Sequence, residues 1–494
     1  MNEEKKYIGF DLGAESGRCI VAVLKDDRIT LHEVHRFTTH TLKLGDSSYW
    51  NVNAIFEEML KGLNRARTKF GSGFNGIGVD TWGVDYVLIN KEGNDIGNPY
   101  HYRDDRTDGM MDEAFSVIPK DELYSTAGTQ SAQYNTLFQL LAEKKNNLNL
   151  LDFSDTFLLM PDYFNYRLCG NKKAEYSIAS TTNLVNPLKR DWNWNLIKTF
   201  NLPKNIFPVI SEPGTILGKL LPSIADLVGL NNDIPIIATT GHDTASAVAS
   251  IPASGNNWAF ISSGTWSLMG IESDKPIINK DSLKYNFTNE GGFNKTTRFL
   301  KNIVGLWPLQ ECRQYWNEHK QEFNYNDLTL LAARQGLANA WIDLNDSRFL
   351  KPGNMPQKVL DFLKETNQKH ENKPGFITAV ILESLAFTYR KTLREIEVVT
   401  GKKIEKLHIV GGGIQNELLT QYTADATGKT VVAGPIEGAG VGNIGAQAIA
   451  TGAIKDIKEL RKIVAGSFSL KEYKPINTKY FEDNEENYDR ILQS

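Results

Sequence analysis

With 494 residues the chain is too long for a single ordinary hydrophobic core, and two large domains are the expectation. Apolar residues make up 41% and charged residues 23%, a globular balance, and a net charge of −4 without any long basic run gives no reason to expect nucleic acid. Three scattered cysteines, Cys19, Cys169 and Cys312, exclude a disulfide framework and a CxxC metal site; no signal peptide or membrane span is read, so a cytoplasmic protein is expected.

Residues 7–12 read as a short buried strand, 13–18 as a turn, 19–24 as a second strand and 29–34 as a third, a meander at the start of the chain. A helix over residues 53–70 follows, with Ile55, Phe56, Met59, Leu60 and Leu63 at helical spacing, and residues 75–80 return to strand. Residues 234–239 form a buried strand that feeds Gly241-His242-Asp243 and a helix of small residues over 244–250. The opening pattern then recurs as a strand over 258–262, the polar turn Ser263-Gly264-Thr265 and a strand over 266–271. This is a likeness of organisation without residue-level repetition. A long helix is expected over 377–400, closed by Gly401, the residue type that a left-handed helix end favours. Strands over 406–410 and 430–433, a glycine-rich turn and a helix from about residue 446 complete an α/β pattern.

Two glycine motifs point elsewhere. Gly440-Val441-Gly442-Asn443-Ile444-Gly445 has the spacing of a dinucleotide fingerprint, as in a dehydrogenase. Only about fifty residues follow it, too few for the rest of a doubly wound domain, so glycines that let a helix approach a strand are the favoured reading. Gly428-Lys429-Thr430 has the ending of a phosphate-binding loop, but Thr423 stands where its first glycine belongs.

Asp11 ends a buried strand, where a carboxylate is costly without a partner, and a hydrated magnesium ion is a suitable one. Gly13 and Gly17 permit a turn whose N–H groups face phosphate oxygens, and Arg18 adds a charged donor; an ordinary hairpin with a capping aspartate is the alternative. Asp243 stands where a strand passes to a helix. That makes it an N-cap candidate, and a helix N-terminus also keeps a carboxylate ionised and able to take a proton. Gly411-Gly412-Gly413 after a strand leaves bare backbone against which a flat base can lie.

Taken in order, these motifs resemble the FGGY family of carbohydrate kinases over nearly the whole chain. Gly78-Val79-Asp80-Thr81-Trp82-Gly83-Val84-Asp85-Tyr86, Tyr102-Arg103-Asp104-Asp105-Arg106 and Leu300-Lys301-Asn302-Ile303-Val304-Gly305-Leu306-Trp307 add to the likeness. The resemblance implies an α/β fold of two ribonuclease H-like domains, of the actin and hexokinase type, around a central cleft. Residues 1–248 would hold the sugar and phosphate site and residues 249–494 the nucleotide site. It implies ATP-dependent phosphorylation of a ketose, L-rhamnulose at its 1-hydroxyl being the acceptor that the finer motifs suggest. Ala14, Glu15, Ser16, Gly17 and Arg18 would hold the ATP phosphates, and Thr265, Gln310 and Gly412 the nucleotide. Gly83, His242, Asp243, Thr244 and Asn302 would contact the sugar, with Asp243 the general base. Asp11 as organiser of Mg2+ extends this set from the buried-carboxylate argument. Glu15 stands where relatives often carry a small polar residue. The expected partners are a small-molecule sugar and ATP, with no nucleic acid or membrane, in a monomer or homodimer. Fuculose, xylulose and glycerol kinases of the family, and an actin-like ATPase without a sugar substrate, are the competing readings.

Overall fold

The computed structural model describes residues 4–147 and 149–493. The chain divides into two compact units, Met1–Pro252 with Glu272–Phe299 and Gly438–Phe468, and Ala253–Ile271 with Leu300–Glu437 and Ser469–Ser494.

The first unit is built on a six-stranded sheet. Its first three strands, Lys5–Leu12, Ser16–Lys25 and Arg28–Thr38, form the antiparallel meander expected from the sequence. Gly76–Thr81 pairs parallel to Lys5–Leu12 on the other side, followed by Pro235–Ala238 and the edge strand Thr215–Lys219. Ile8, Phe10, Ile77 and Val79 are wholly buried, as near-continuous apolar runs must be when both faces of a sheet are covered. The helix Val52–Phe70 lies against one face through Ile55, Phe56, Met59 and Leu63. Asn51 starts it by accepting the Ala54 N–H, and Gly71 stops it at φ 84°.

Helix Gly438–Ala450 also belongs to the first unit, far along the chain from the strands it covers. Asn443 Nδ2 donates to Asp80 Oδ2 at 2.6 Å, and Gln447 Nε2 donates to the Ile8 carbonyl at 2.9 Å. The expected helix start at about residue 446 is too late. Glycine is a poor helix former, so the run read as a turn, but the tertiary fold requires bare backbone inside this helix. A Cβ on Gly442 would stand 1.7 Å from the Ser246 carbonyl oxygen, one on Gly440 2.7 Å from Ile20, and one on Gly445 2.3 Å from Leu460. The fingerprint glycines therefore lie within a helix, and packing accounts for them.

In the other large sheet the strands Thr297–Val304, Trp266–Ser273, Trp258–Ser263, Lys406–Val410, Thr430–Ala433 and Lys471–Tyr473 neighbour one another in that order; all lie in the second unit except Thr297–Phe299 and Glu272–Ser273. With the edge strands Thr288–Gly291 and Thr215–Lys219 set aside, the first five run third, second, first, fourth, fifth by order of appearance, and the corresponding strands of the first unit run the same way. This shared order, with its antiparallel first pair and parallel strands beyond the first strand, is the ribonuclease H-like arrangement of both units. The helix Pro374–Thr400 is buried over much of its length and ends at Gly401, φ 65°. The terminal helices Thr478–Asp483 and Glu485–Ile491 pack through Phe481 and Tyr488 onto Trp341 and Phe387. Among the described residues no helix is long and apolar enough to cross a membrane.

Candidate active site

The parallel pairing of Lys5–Leu12 with Gly76–Thr81 sets Asp11 beside Asp80. Asp11, almost buried, is held by Arg18, whose guanidinium donates to Oδ2 at 2.6 Å from the neighbouring strand. Asp80 is completely buried. Its Oδ2 accepts from Asn443, while Oδ1 has no hydrogen-bond partner. Burial, and then the charge of Asp11, hold Asp80 well above the usual carboxylate range. Two adjacent acids, one with an orphaned oxygen, suit a hydrated divalent cation. Magnesium takes few carboxylates and keeps its waters, so it needs no larger cage. Among the described residues, indeed, no three acidic, histidine or cysteine side chains converge closely enough to ligate one ion together.

After Asp11 the chain turns through Gly13, whose N–H donates to the Ser16 carbonyl at 3.0 Å, and Thr39 fastens the turn by donating to the Gly13 carbonyl. Ala14 and Ser16 are half-buried and Glu15 is exposed. Gly17 is small for packing, because a Cβ there would meet the Phe37 ring at 2.3 Å.

Asp243 follows the loop leaving strand Pro235–Ala238. Glu175 Oε2 accepts the Gly241 N–H at 2.9 Å and the Ser177 hydroxyl, which in turn accepts the His242 N–H at 3.2 Å. The Thr81 N–H donates to the Gly241 carbonyl, tying this loop to the strand that carries Asp80. The capping position of helix Asp243–Ala249 belongs to His242, whose side chain caps nothing; Asp243 is the first helical residue. Its Oδ1 accepts from the backbone and hydroxyl of Thr244, and 33% of the side chain stays exposed. The expected lowering by the helix end does not prevail. Desolvation by the surrounding protein pushes the Asp243 carboxyl up and the charge of Asp11 adds to this, while His242 and the Thr244 bonds pull it down. A more basic carboxylate is the better proton acceptor.

Gly83 follows strand Gly76–Thr81, and a Cβ there would lie 3.5 Å from His242 Nε2. Val84 next to it has φ 69°, a left-handed conformation that a β-branched residue adopts only under constraint. Thr181 accepts from its N–H and Thr136 donates to its carbonyl. Asp85 then receives the Trp50 and Trp82 indole N–H groups at 2.6 and 3.0 Å and the Gln139 amide at 2.8 Å. Burial nonetheless pushes its carboxyl up to about 7. A carboxylate whose pKa rises on folding stabilises the fold fully below its unfolded value, about 3.9, and that contribution fades as pH rises through 7. The urea midpoint is therefore expected to decline between about pH 4 and 7, and Asp85→Asn to flatten that decline. Equal slopes in the two proteins would rule Asp85 out as the titrating group.

The remaining expected residues, Thr265, Asn302, Gln310 and Gly412, belong to the second unit. The Thr265 turn is braced by the segment after strand Thr297–Val304, as the Gly305 and Trp307 N–H groups both donate to the Thr265 carbonyl. Gln310, in helix Trp307–Glu318, has a buried Oε1 without a hydrogen-bond partner. The three glycines divide their work. Gly411 and Gly413 press on Ser263, where a Cβ would stand 2.8 and 2.1 Å away, while a Cβ on Gly412 would meet nothing within 4 Å. Gly412 is thus the open position against which a flat ligand can lie.

Sequence reasoning did not single out Asp80, Asp85, Glu175, Glu290 or Arg298. Asp80 and Asp85 sit inside a motif it quoted, and a buried-strand acid next to Asp11 was a usable signal. Glu175, Glu290 and Arg298 reach the loop from distant segments, and nothing local marks them.

The profile described as the FGGY family of carbohydrate kinases, N-terminal domain, matches residues 6–250, and its C-terminal counterpart matches residues 259–451. The chain is 39% identical to a protein named rhamnulokinase from Oceanobacillus iheyensis, over 94% of this chain and 97% of that one. It is also 39% identical to a rhamnulokinase from Bacteroides thetaiotaomicron, over 96% of each. A ligand-bound xylulose kinase from Lactobacillus acidophilus superposes with a TM-score of 0.81 at 14% identity, covering 99% of this chain and 98% of that one. A glycerol kinase with ADP from Plasmodium falciparum superposes with a TM-score of 0.75, also at 14% identity, with coverage of 99% and 98%. At such identity these two structures speak for the fold.

Proposed function

The chain belongs to the FGGY family of carbohydrate kinases, and we propose that it transfers the γ-phosphoryl group of ATP to the 1-hydroxyl of L-rhamnulose. The sugar rests on the relatives named rhamnulokinase, which align over nearly the full length of both chains. The chemistry rests on Asp243: a partly exposed carboxylate of raised basicity, just after a loop clamped at Gly241 and His242.

Phosphoryl transfer asks a protein for positioning and charge neutralisation more than for covalent chemistry. Asp243 takes the proton of the attacking hydroxyl as its oxygen approaches phosphorus. Gly83, His242, Thr244 and Asn302 orient the sugar. The backbone from Ala14 to Gly17 and the Arg18 guanidinium bind the phosphates, and Thr265, Gln310 and Gly412 bind the nucleotide. Asp11, with Asp80 beside it, would hold magnesium, which supplies neutralisation of the triphosphate charge when bound.

The test is ADP release, coupled to an optical signal, with L-rhamnulose, L-fuculose and D-xylulose at fixed ATP and magnesium. The expected result is a kcat/KM for L-rhamnulose above that for either other ketose. Preference for another sugar would overturn the substrate and leave the kinase reading intact. ATP consumption indifferent to any sugar would overturn Asp243 as the base for a sugar hydroxyl.

A further inference from the structure

His242 Nδ1 meets two groups of opposite character. Arg298, completely buried, places its NH2 group 3.2 Å from Nδ1, and Glu290 Oε2 lies 3.2 Å from the same nitrogen. Glu290 also contacts the Arg298 guanidinium at 3.1 Å, yet its Oε2 forms no aligned hydrogen bond. The Arg298–Nδ1 contact does have hydrogen-bond geometry. A guanidinium can only donate, so Nδ1 accepts and the proton of the neutral ring sits on Nε2. Arg298 is fixed in turn, because its Nε donates to the Gly291 carbonyl at 2.8 Å. On the other side of the ring, Nε2 stands 3.6 Å from Asp243 Oδ1, too far for a hydrogen bond to the carboxylate itself.

We propose that Arg298, charge-balanced by Glu290, is a positioning residue that fixes His242 as its Nε2–H tautomer, with that N–H directed to the side on which Asp243 works. In a protonated ring both nitrogens carry a proton, so Nε2–H remains a donor. The charged groups contacting the ring are thus Arg298 and Glu290 at Nδ1 and Asp243 at Nε2. In either protonation state His242 presents a donor, never an acceptor, beside the base. Such a donor recognises an oxygen of the sugar and repels none of the negative charge that develops when Asp243 removes the hydroxyl proton. This role in catalysis rests on Asp243 being the base; the tautomer does not.

The decisive measurement is 15N NMR of the full-length protein labelled at histidine, without substrate, with the His242 signals assigned through His242→Gln. A protonated Nε2 and a bare Nδ1 in the neutral ring, with Nε2–H retained on acidification, are expected. A neutral ring protonated at Nδ1 would overturn the proposal. Kinetics supply the second arm. Glu290→Gln/Arg298→Met removes both buried charges together and is expected to lower kcat/KM for the phosphorylated sugar by about 10–100-fold, on the scale seen when a group orienting a metal-ligating histidine is removed. The KM for ATP should stay unchanged, and Arg298→Lys should retain part of the activity. Native kinetics in the double variant would also overturn it. If the double variant does not fold, the native spectrum decides alone. If no sugar in the panel is phosphorylated, the functional reading fails while the spectrum still decides this inference.

Discussion

Asp243→Asn is expected to lower kcat by roughly 10²–10⁴-fold while leaving ATP affinity nearly unchanged, the loss typical of removing a general base. Asparagine keeps the shape and the oxygen that accepts from Thr244, so the loop should stay in place. What it loses is basicity. Because the surroundings push the native carboxyl up, the acid limb of the native kcat–pH profile should lie above the ordinary aspartate range, and the variant should lack it. Stopped-assay kinetics across pH, with ATP binding followed by calorimetry, test both parts. Retention of most of the activity would remove Asp243 from the base role. A parallel collapse of ATP binding would make it a structural residue.

Gly442→Ala should do comparable damage by a different route. A methyl group there would overlap the backbone of Ser246, 1.7 Å from its carbonyl oxygen and 2.5 Å from its carbonyl carbon. A flexible side chain can move aside, but here the obstacle is the helix that begins at Asp243. The destabilisation is expected at or above the upper end of the ~1–3 kcal/mol usual for overpacking, read as a lowered urea midpoint. Any folded fraction should lose activity as well, since relief of the overlap displaces the Asp243 helix. A fully stable and active Gly442→Ala protein would mean that the two helices can separate freely. That result would contradict the bonds that Asn443 and Gln447 make to the strands beneath them.

The contrast between these two residues shows where the sequence was informative. Asp243 was visible because a buried strand, a glycine and an acid follow one another directly. Its environment was not: the expected effect of the helix end is outweighed by desolvation and by Asp11, more than two hundred residues earlier in the chain. Gly442 was visible as part of a fingerprint for which close packing was the favoured reading, but its partner in that packing, the Ser246 backbone, was not. Gly411, Gly412 and Gly413 look alike in sequence, yet two of them face Ser263 and one faces open space. Val84 gave no sign of its left-handed backbone, because a valine is the last residue from which that conformation would be inferred.

By itself the sequence determined the α/β class, the opening meander, the strand-to-helix junction at Asp243 and the recurrence of a strand, polar turn and strand in the second half. Each of these is local: apolar runs set strands, periodic spacing sets helices, and glycine or a polar residue ends them. Only the tertiary structure decided that Gly438–Ala450 returns to the first unit, and that Asp80 shares a neighbourhood with Asp11. It alone joined Arg298 and Glu290 to His242 and Glu175 to Gly241. Those contacts join segments far apart in the chain. They exist because a buried charge or backbone N–H must find a partner, and the partner can come from any segment that the fold brings near.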